Sequence, residues 1–283
     1  MKTNHIVFDI GGTKTRVGIS TDLSTLDEVA SFYTPADPVA GIKKILETIA
    51  EFNQDGGTVT TISGGIRGVL GEERRGIVHD DVLDSWTDFD VVAELTKAFN
   101  VPVYLENDAA LAGLGEAHFG AGVGVDLVVY HTVSTGVGGV RISNGRIDAA
   151  SAGFEPGHQV LDIDRTILGD DIEPTLENLV SGTAVEKRLG MKPYDIPQED
   201  VIWGELAGYL AQGLRNTILY WSPEAIILGG SMIIGDPKIP IEAIRKATVS
   251  VLDSFVDCPF ITTASLGDEA GLYGALALIR QHA

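Results

Sequence analysis

"IVFDIGGTKTRVGIS", residues 6–20, sets an aspartate, Asp9, and the adjacent Gly11 and Gly12 at the point where one apolar run stops and another begins. Two apolar runs flanking a short turn read as paired strands. A plain hairpin is satisfied by a turn dipeptide such as Asn-Gly, so the run Asp9, Gly11, Gly12, Thr13, Lys14 calls for a further cause. Glycine lets a ligand approach the main chain, and a bare turn offers its N–H groups to phosphate oxygens. A carboxylate at a strand end beside such a turn suits Mg²⁺, which keeps several waters and takes one or two protein carboxylates. An aspartate that merely caps its own turn is the alternative open at this point.

Outward from this stretch, "DEVASFYTP" (27–35) alternates like a third strand, and in "VAGIKKILETIAEF" (39–52) Val39, Ile42, Ile45, Leu46 and Ile49 form one helical stripe. A strand "TVTTIS" (58–63), a glycine loop, an acid-started helix near 88–99 and a strand "VPVYLE" (101–106) follow. The pattern then restarts in "DLVVYHTVSTGVGGVRIS" (126–143), a strand, a Thr/Gly turn and a strand, closed by "NGR". A long helix near 199–221, a strand "AIILGG" (225–230), a helix near 240–253, a strand "FITTA" (260–264) and a helix "DEAGLYGALALIRQ" (268–281) complete the series, with 190–200 the least ordered in composition. The succession predicts a layered α/β protein, and the repeated opening predicts a duplicated, two-lobed one. There is no G-x-x-x-x-G-K-[ST], and "GAGVG" (120–124) follows a helix, whereas a dinucleotide fingerprint follows a strand.

The bulk numbers bound the function. At 283 residues and 44% hydrophobic composition the chain has enough apolar surface for a large core in two lobes. A formal net charge of -20 argues against sequence-independent nucleic-acid binding, which relies on clustered Lys and Arg. No run approaches the roughly 18 apolar residues of a membrane span, and residues 1–5 lack signal-peptide architecture, so no membrane partner and a cytoplasmic location are expected. A single cysteine, Cys258, leaves no disulfide framework and no cysteine-cluster metal site.

"DIGGTKTRVGI" resembles the first phosphate motif of the ROK family of sugar kinases, within the sugar kinase/actin/Hsp70 superfamily. "LENDAALAGLGEAHFGAG" (105–122) resembles the family's E-N-D-A-x-x-A-x-x-G-E segment, and "STGVGGVRISNGRI" its second phosphate motif. "GFEPGH" resembles its E-x-G-H, "LENLVSG" its L-E-x-x-x-S-G, "IILGGS" its adenosine motif and "LGDEAGLYGALAL" its last helix. These segments run in family order from residue 6 to 278. The resemblance implies an actin-like ATPase (ribonuclease H-like) α/β fold with duplicated strand–Gly turn–strand units. Its lobes would be a smaller one, 1–106 plus 268–283, and a larger one, 107–267. It also implies a homodimer, and an ATP- and Mg²⁺-dependent kinase acting on a hexose or N-acetylhexosamine.

Phosphorylating a sugar hydroxyl requires an acceptor for its proton. Asp108, where "VPVYLE" gives way to a helix, reads from the sequence equally as a helix N-cap and as that base. The resemblance implies the base, with Asn107, Glu155, His158 and Glu177 holding sugar hydroxyls and Gly65 letting the backbone approach the ring. It implies nucleotide binding by Asp9, Gly11, Gly12, Thr13, Lys14, Thr135, Gly136, Gly229 and Gly230, with Asp9 on Mg²⁺ through water. Two departures stand out. Between His158 and Glu177 the family's zinc-binding cysteines are replaced at Leu168, Asp170 and Thr175, so no structural zinc is expected. In "GIRGVL" (65–70) Arg67 takes the place of a Pro-Gly, facing solvent or reaching an anionic substituent. The competing function is a sugar- or nucleotide-binding sensor or regulator without turnover; ROK repressors carry a helix-turn-helix ahead of the first motif, and here eight residues precede Asp9.

Overall fold

The computed structural model describes residues 2–150 and 153–283. The chain forms two compact units, one of Met1–Phe119, Ala150–Gly153 and Asp268–Ala283 and the other of Gly120–Ala149 and Phe154–Gly267.

Unit 1 opens with β1 (Thr3–Ile10), β2 (Lys14–Ser20), β3 (Glu28–Tyr33) and the helix α1 (Pro38–Phe52). Asp37 caps α1 by accepting from Val39 N and Ala40 N, Pro38 occupies its first turn, and Ile42, Ile45 and Ile49 form its buried stripe. Next come β4 (Thr58–Ile66), a small hairpin of β5 (Val69–Leu70) and β6 (Ile77–His79), α2 (Val91–Phe99), β7 (Val103–Asn107) and α3 (Asp108–Phe119). The main sheet has the order β3-β2-β1-β4-β7, antiparallel across β1–β3 and parallel across β1, β4 and β7.

Unit 2 repeats the plan. It has β8 (Leu127–Val133), β9 (Val137–Ser143), β10 (Arg146–Ile147), α4 (Leu176–Val180), α5 (Gly182–Leu189), α6 (Ile202–Trp221), β11 (Ala225–Gly229), α7 (Ser231–Ile234), α8 (Ile241–Leu252) and β12 (Phe260–Thr263). Its sheet order, β10-β9-β8-β11-β12, matches the first sheet position for position. Trp203, Leu206, Leu210 and Leu214 of α6 join Val129, Ile226 and Leu228 of the sheet in one apolar core. Inside it lies His131, fully buried, with Nε2 3.2 Å from Thr217 Oγ1 and Nδ1 without a hydrogen-bond partner. Burial alone pushes this imidazole down to about 4, so it is neutral.

The chain then returns to unit 1 as α9 (Ala270–His282). Gly115 of α3 and Gly274 of α9 leave no room for a side chain, since a Cβ would collide with Ala270 O or Leu111 O respectively. That close backbone approach puts α3 in unit 1, whereas the sequence reading assigned 107–119 to the larger lobe. Two further expectations are corrected. Gly64 and Gly65, read as a loop, are strand residues of β4, because β1 and β7 pair with them on both sides and the Phe8 ring fills the space above Gly64. Residues 190–200 are tied down: Ile196 is buried, Trp203 Nε1 donates to Pro197 O at 2.9 Å, and Gln198 bonds both Lys238 N and O. Among the described residues no helix is long and apolar enough to cross a membrane.

Candidate active site

In unit 1 the strand register assembles the first group. Asp9 pairs with Arg16 on β2 and with Gly65 on β4, and Gly65 pairs in turn with Glu106, next to Asn107. These residues share the carboxyl ends of three parallel strands, where open α/β sheets bind ligands. Gly65 is what lets the ends converge, since a Cβ there would lie 3.2 Å from Asp108 Cα and 3.4 Å from Asp9 Oδ1. The glycine turn sits at the same edge. Gly11 N donates to Lys14 O at 3.0 Å, while the Thr34 hydroxyl donates to Gly11 O at 2.7 Å and Thr34 N to Thr13 O at 3.0 Å. Thr13 and Lys14 are exposed.

The two readings of Asp108 separate here. Asn107 Oδ1 accepts from Ala110 N at 3.1 Å, the capping bond, and Asn107 Nδ2 donates to Gly68 O at 3.1 Å. With the cap supplied by Asn107, the Asp108 carboxylate accepts from the adjoining Ala109 N–H, at 2.8 Å. Burial raises the Asp108 carboxyl above the usual range, opposed by that N–H and by Arg67, and reinforced by Asp80. Burial and the neighbouring Asp108 push Asp9 up to about 7 against the pull of Arg16, with Asp268 adding to the rise. Arg16 lies 3.9 Å from Asp9 and 2.6 Å from Asp268, an ion relay that the sequence did not signal. A pair of carboxylates short of a full protein cage fits Mg²⁺, which would keep most of its waters.

In unit 2 the turn between β8 and β9 closes through Ser134 N and Gly136 O at 2.8 Å. Glu177 Oε2 accepts from Val137 N at 2.7 Å, and a Cβ on Gly136 would stand 2.6 Å from that oxygen. The short turn Pro156–His158 packs on the same place, with Gly157 against Val137 O. Glu177 and the turn that carries His158 therefore both pack on Val137, and Glu177 spends one oxygen on the backbone. Glu155 and His158 are exposed. Beside Thr135, Ser134 Oγ lies 3.0 Å from Ser231 Oγ, which links the turn to the Gly229–Gly230 segment. Gly230 adopts φ +86 with Val133 O and Thr132 Oγ1 against its Cα, a position that only glycine fills without strain. Both serines fall inside quoted motifs, "STGVGGVRISNGRI" and "IILGGS", but neither stands out there as a site residue.

The segment from Leu161 to Thr175 is ordered by its own hydrogen bonds. The buried Asp162 carboxylate accepts from Leu168 N at 2.7 Å and Ile167 N at 3.1 Å, and Arg165 donates to Ile172 O at 2.7 Å. Leu168 lies in the core, and Thr175 caps α4. Among the described residues there is no group of three or more His, Cys, Asp or Glu able to hold a metal ion.

The ROK family model matches residues 5–282. A fructokinase from Pediococcus pentosaceus is 33% identical over 204 residues, 68% of this chain and 69% of that protein. The ROK hexokinase of Thermus thermophilus superimposes with TM-score 0.83 at 28% identity, covering 99% of this chain and 100% of the other. A ROK glucokinase from Streptomyces griseus, in complex with glucose and AMPPNP, gives TM-score 0.80 at 26% identity over 98% and 99% of the two chains.

Proposed function

Since the chain belongs to the ROK family and is an ATP-dependent sugar kinase, we propose that its acceptor is a hydroxyl of a hexose or N-acetylhexosamine and that Asp108 is the general base. The observation that carries this reading is the division of labour at the start of α3: Asn107 takes the capping amide, so Asp108 is left facing Asp9 and Gly65 with a raised proton affinity. A base acts best with a pKa near the working pH, and desolvation moves Asp108 that way.

In this reading Asp9 holds hydrated Mg²⁺, which when bound neutralises charge on the phosphates. Amides of the turns at Gly12–Thr13 and Thr135–Gly136 bind phosphate oxygens, and Gly229 and Gly230 leave room for the nucleoside. Glu155, His158 and the remaining oxygen of Glu177 orient the sugar ring. A coupled assay for ADP over fructose, glucose, mannose and N-acetylmannosamine tests it: ADP release should depend on both a sugar and Mg²⁺. Nucleotide turnover indifferent to sugar would favour the sensor or switch alternative.

A further inference from the structure

Arg67 has no task in the reading above, yet it lies against the first glycine turn and its charge acts on Asp108. Its backbone N–H donates to Ile10 O at 3.0 Å, fixing it next to the first glycine turn. Its stem crosses that turn, with Cδ 3.6 Å from where a Cβ on Gly12 would stand. Its Nε donates to Asp80 Oδ2 at 2.9 Å, and Asp80, with a side chain 7% exposed, is immobilised by Val82 N at 2.8 Å and Leu83 N at 2.6 Å. The guanidinium is thus aimed by an anchored carboxylate, and its charge acts on Asp108.

Two carboxylates, Asp9 and Asp108, converge where an anionic phosphoryl group would pass, and their field repels it. Arg16 is engaged with Asp268 and Asp9, and Lys14 points into solvent at the turn. Arg67, paired with Asp80, lies against the turn and acts on Asp108, and a guanidinium offers several donors in a fixed fork suited to phosphate oxygens.

We infer that Arg67 is a catalytic residue that binds the γ-phosphoryl oxygens of ATP during transfer. The inference rests on the sugar-kinase reading. In the step, the sugar oxygen forms a bond to the γ-phosphorus and its proton passes to Asp108. The bond from that phosphorus to the β,γ-bridging oxygen breaks, and the electron pair leaves on ADP. The charge spread over the equatorial oxygens is what Arg67 meets.

The test compares Arg67→Met and Arg67→Lys with the parent enzyme. Arg67→Met should lower kcat by roughly 10²–10³ with sugar KM nearly unchanged, the span expected on losing one preorganised donor. Its affinity for AMPPNP should fall by about 10-fold while that for ADP holds, because only the former carries the group Arg67 contacts. Arg67→Lys keeps a cation for Asp80 and should fall between, and added guanidinium ion should restore part of the Arg67→Met rate. A kcat within a few-fold of the parent, or equal weakening of AMPPNP and ADP, would overturn the assignment. Should Arg67→Met not fold, the AMPPNP-to-ADP ratio of Arg67→Lys decides the matter. Absence of sugar-dependent ADP in the parent would count against the kinase reading instead, and the binding ratio would still judge Arg67.

Discussion

The two glycine turns are built alike and surrounded differently. Each lies at the tip of a hairpin in a five-stranded sheet of the same strand order. Next to the first, the parallel strand ends bring Asp9 and Gly65 beside Asp108 at the head of α3; burial raises the proton affinity of both carboxyls, and the Asp108 charge adds to the rise at Asp9. Beside the second, Glu177 bonds the Val137 amide and Ser134 meets Ser231, so that corner is held by hydrogen bonds. Duplication supplies main-chain amides twice. Chemistry arises where the adjoining strand ends are acidic and crowded.

That contrast is most sharply tested at Asp108. Asp108→Asn removes the proton acceptor while retaining an amide oxygen for Ala109 N–H, and turnover should fall by roughly 10² or more with ATP and sugar binding preserved. Undiminished turnover would place the base elsewhere.

The two units should also answer pH with opposite signs. His131, in unit 2, is held at about 4 against an ordinary 6.5, so its contribution is complete above pH 6.5 and is lost as pH falls toward 4. Relative to His131→Gln, the parent should lose about 3 kcal/mol between pH 7.5 and 4, read as the change in urea midpoint. Asp9, in unit 1, is raised to about 7 from 3.8, so its contribution is complete below pH 4 and is lost as pH rises through 7. Asp9→Asn should therefore melt higher than the parent at pH 8 without added Mg²⁺, by about 2 kcal/mol, while losing activity. A parent that is the more stable of the two at pH 8 would show that the carboxylates are not in mutual strain.

The smallest effect is expected at the second turn. Glu177→Ala leaves Val137 N without its acceptor and should cost about 1–2 kcal/mol in thermal unfolding, with Glu177→Gln costing less. Equal stability in both would mean that Glu177 serves the sugar alone.

Much of this was legible in the chain itself. Period-two runs around Asp9 and again at 127–143 gave the duplicated hairpins, and the helical stripe of Ile42, Ile45 and Ile49 gave α1. The candidate residues followed from the resemblance to the ROK motifs. What stayed hidden depends on partners distant in sequence. Gly64 and Gly65 suggest a loop until two flanking strands are known, and Ser134 acquires meaning only beside Ser231. Asp80 lies in an unremarkable acidic run, yet it fixes Arg67 across thirteen positions. The tie between α3 and α9 joins residues separated by the whole of unit 2.

That last tie sets a schedule for synthesis. Gly271, at the head of α9, fits so closely against Asp9 that a Cβ would stand 3.2 Å from its carboxyl carbon. A ribosome must translate every residue of unit 2 before this wall can be laid, so a growing chain leaves Asp9 uncovered on that side while the rest folds. Domain-by-domain folding from the N-terminus does not finish the first domain here. The wall behind Asp9 is thus among the last surfaces of unit 1 that synthesis can complete.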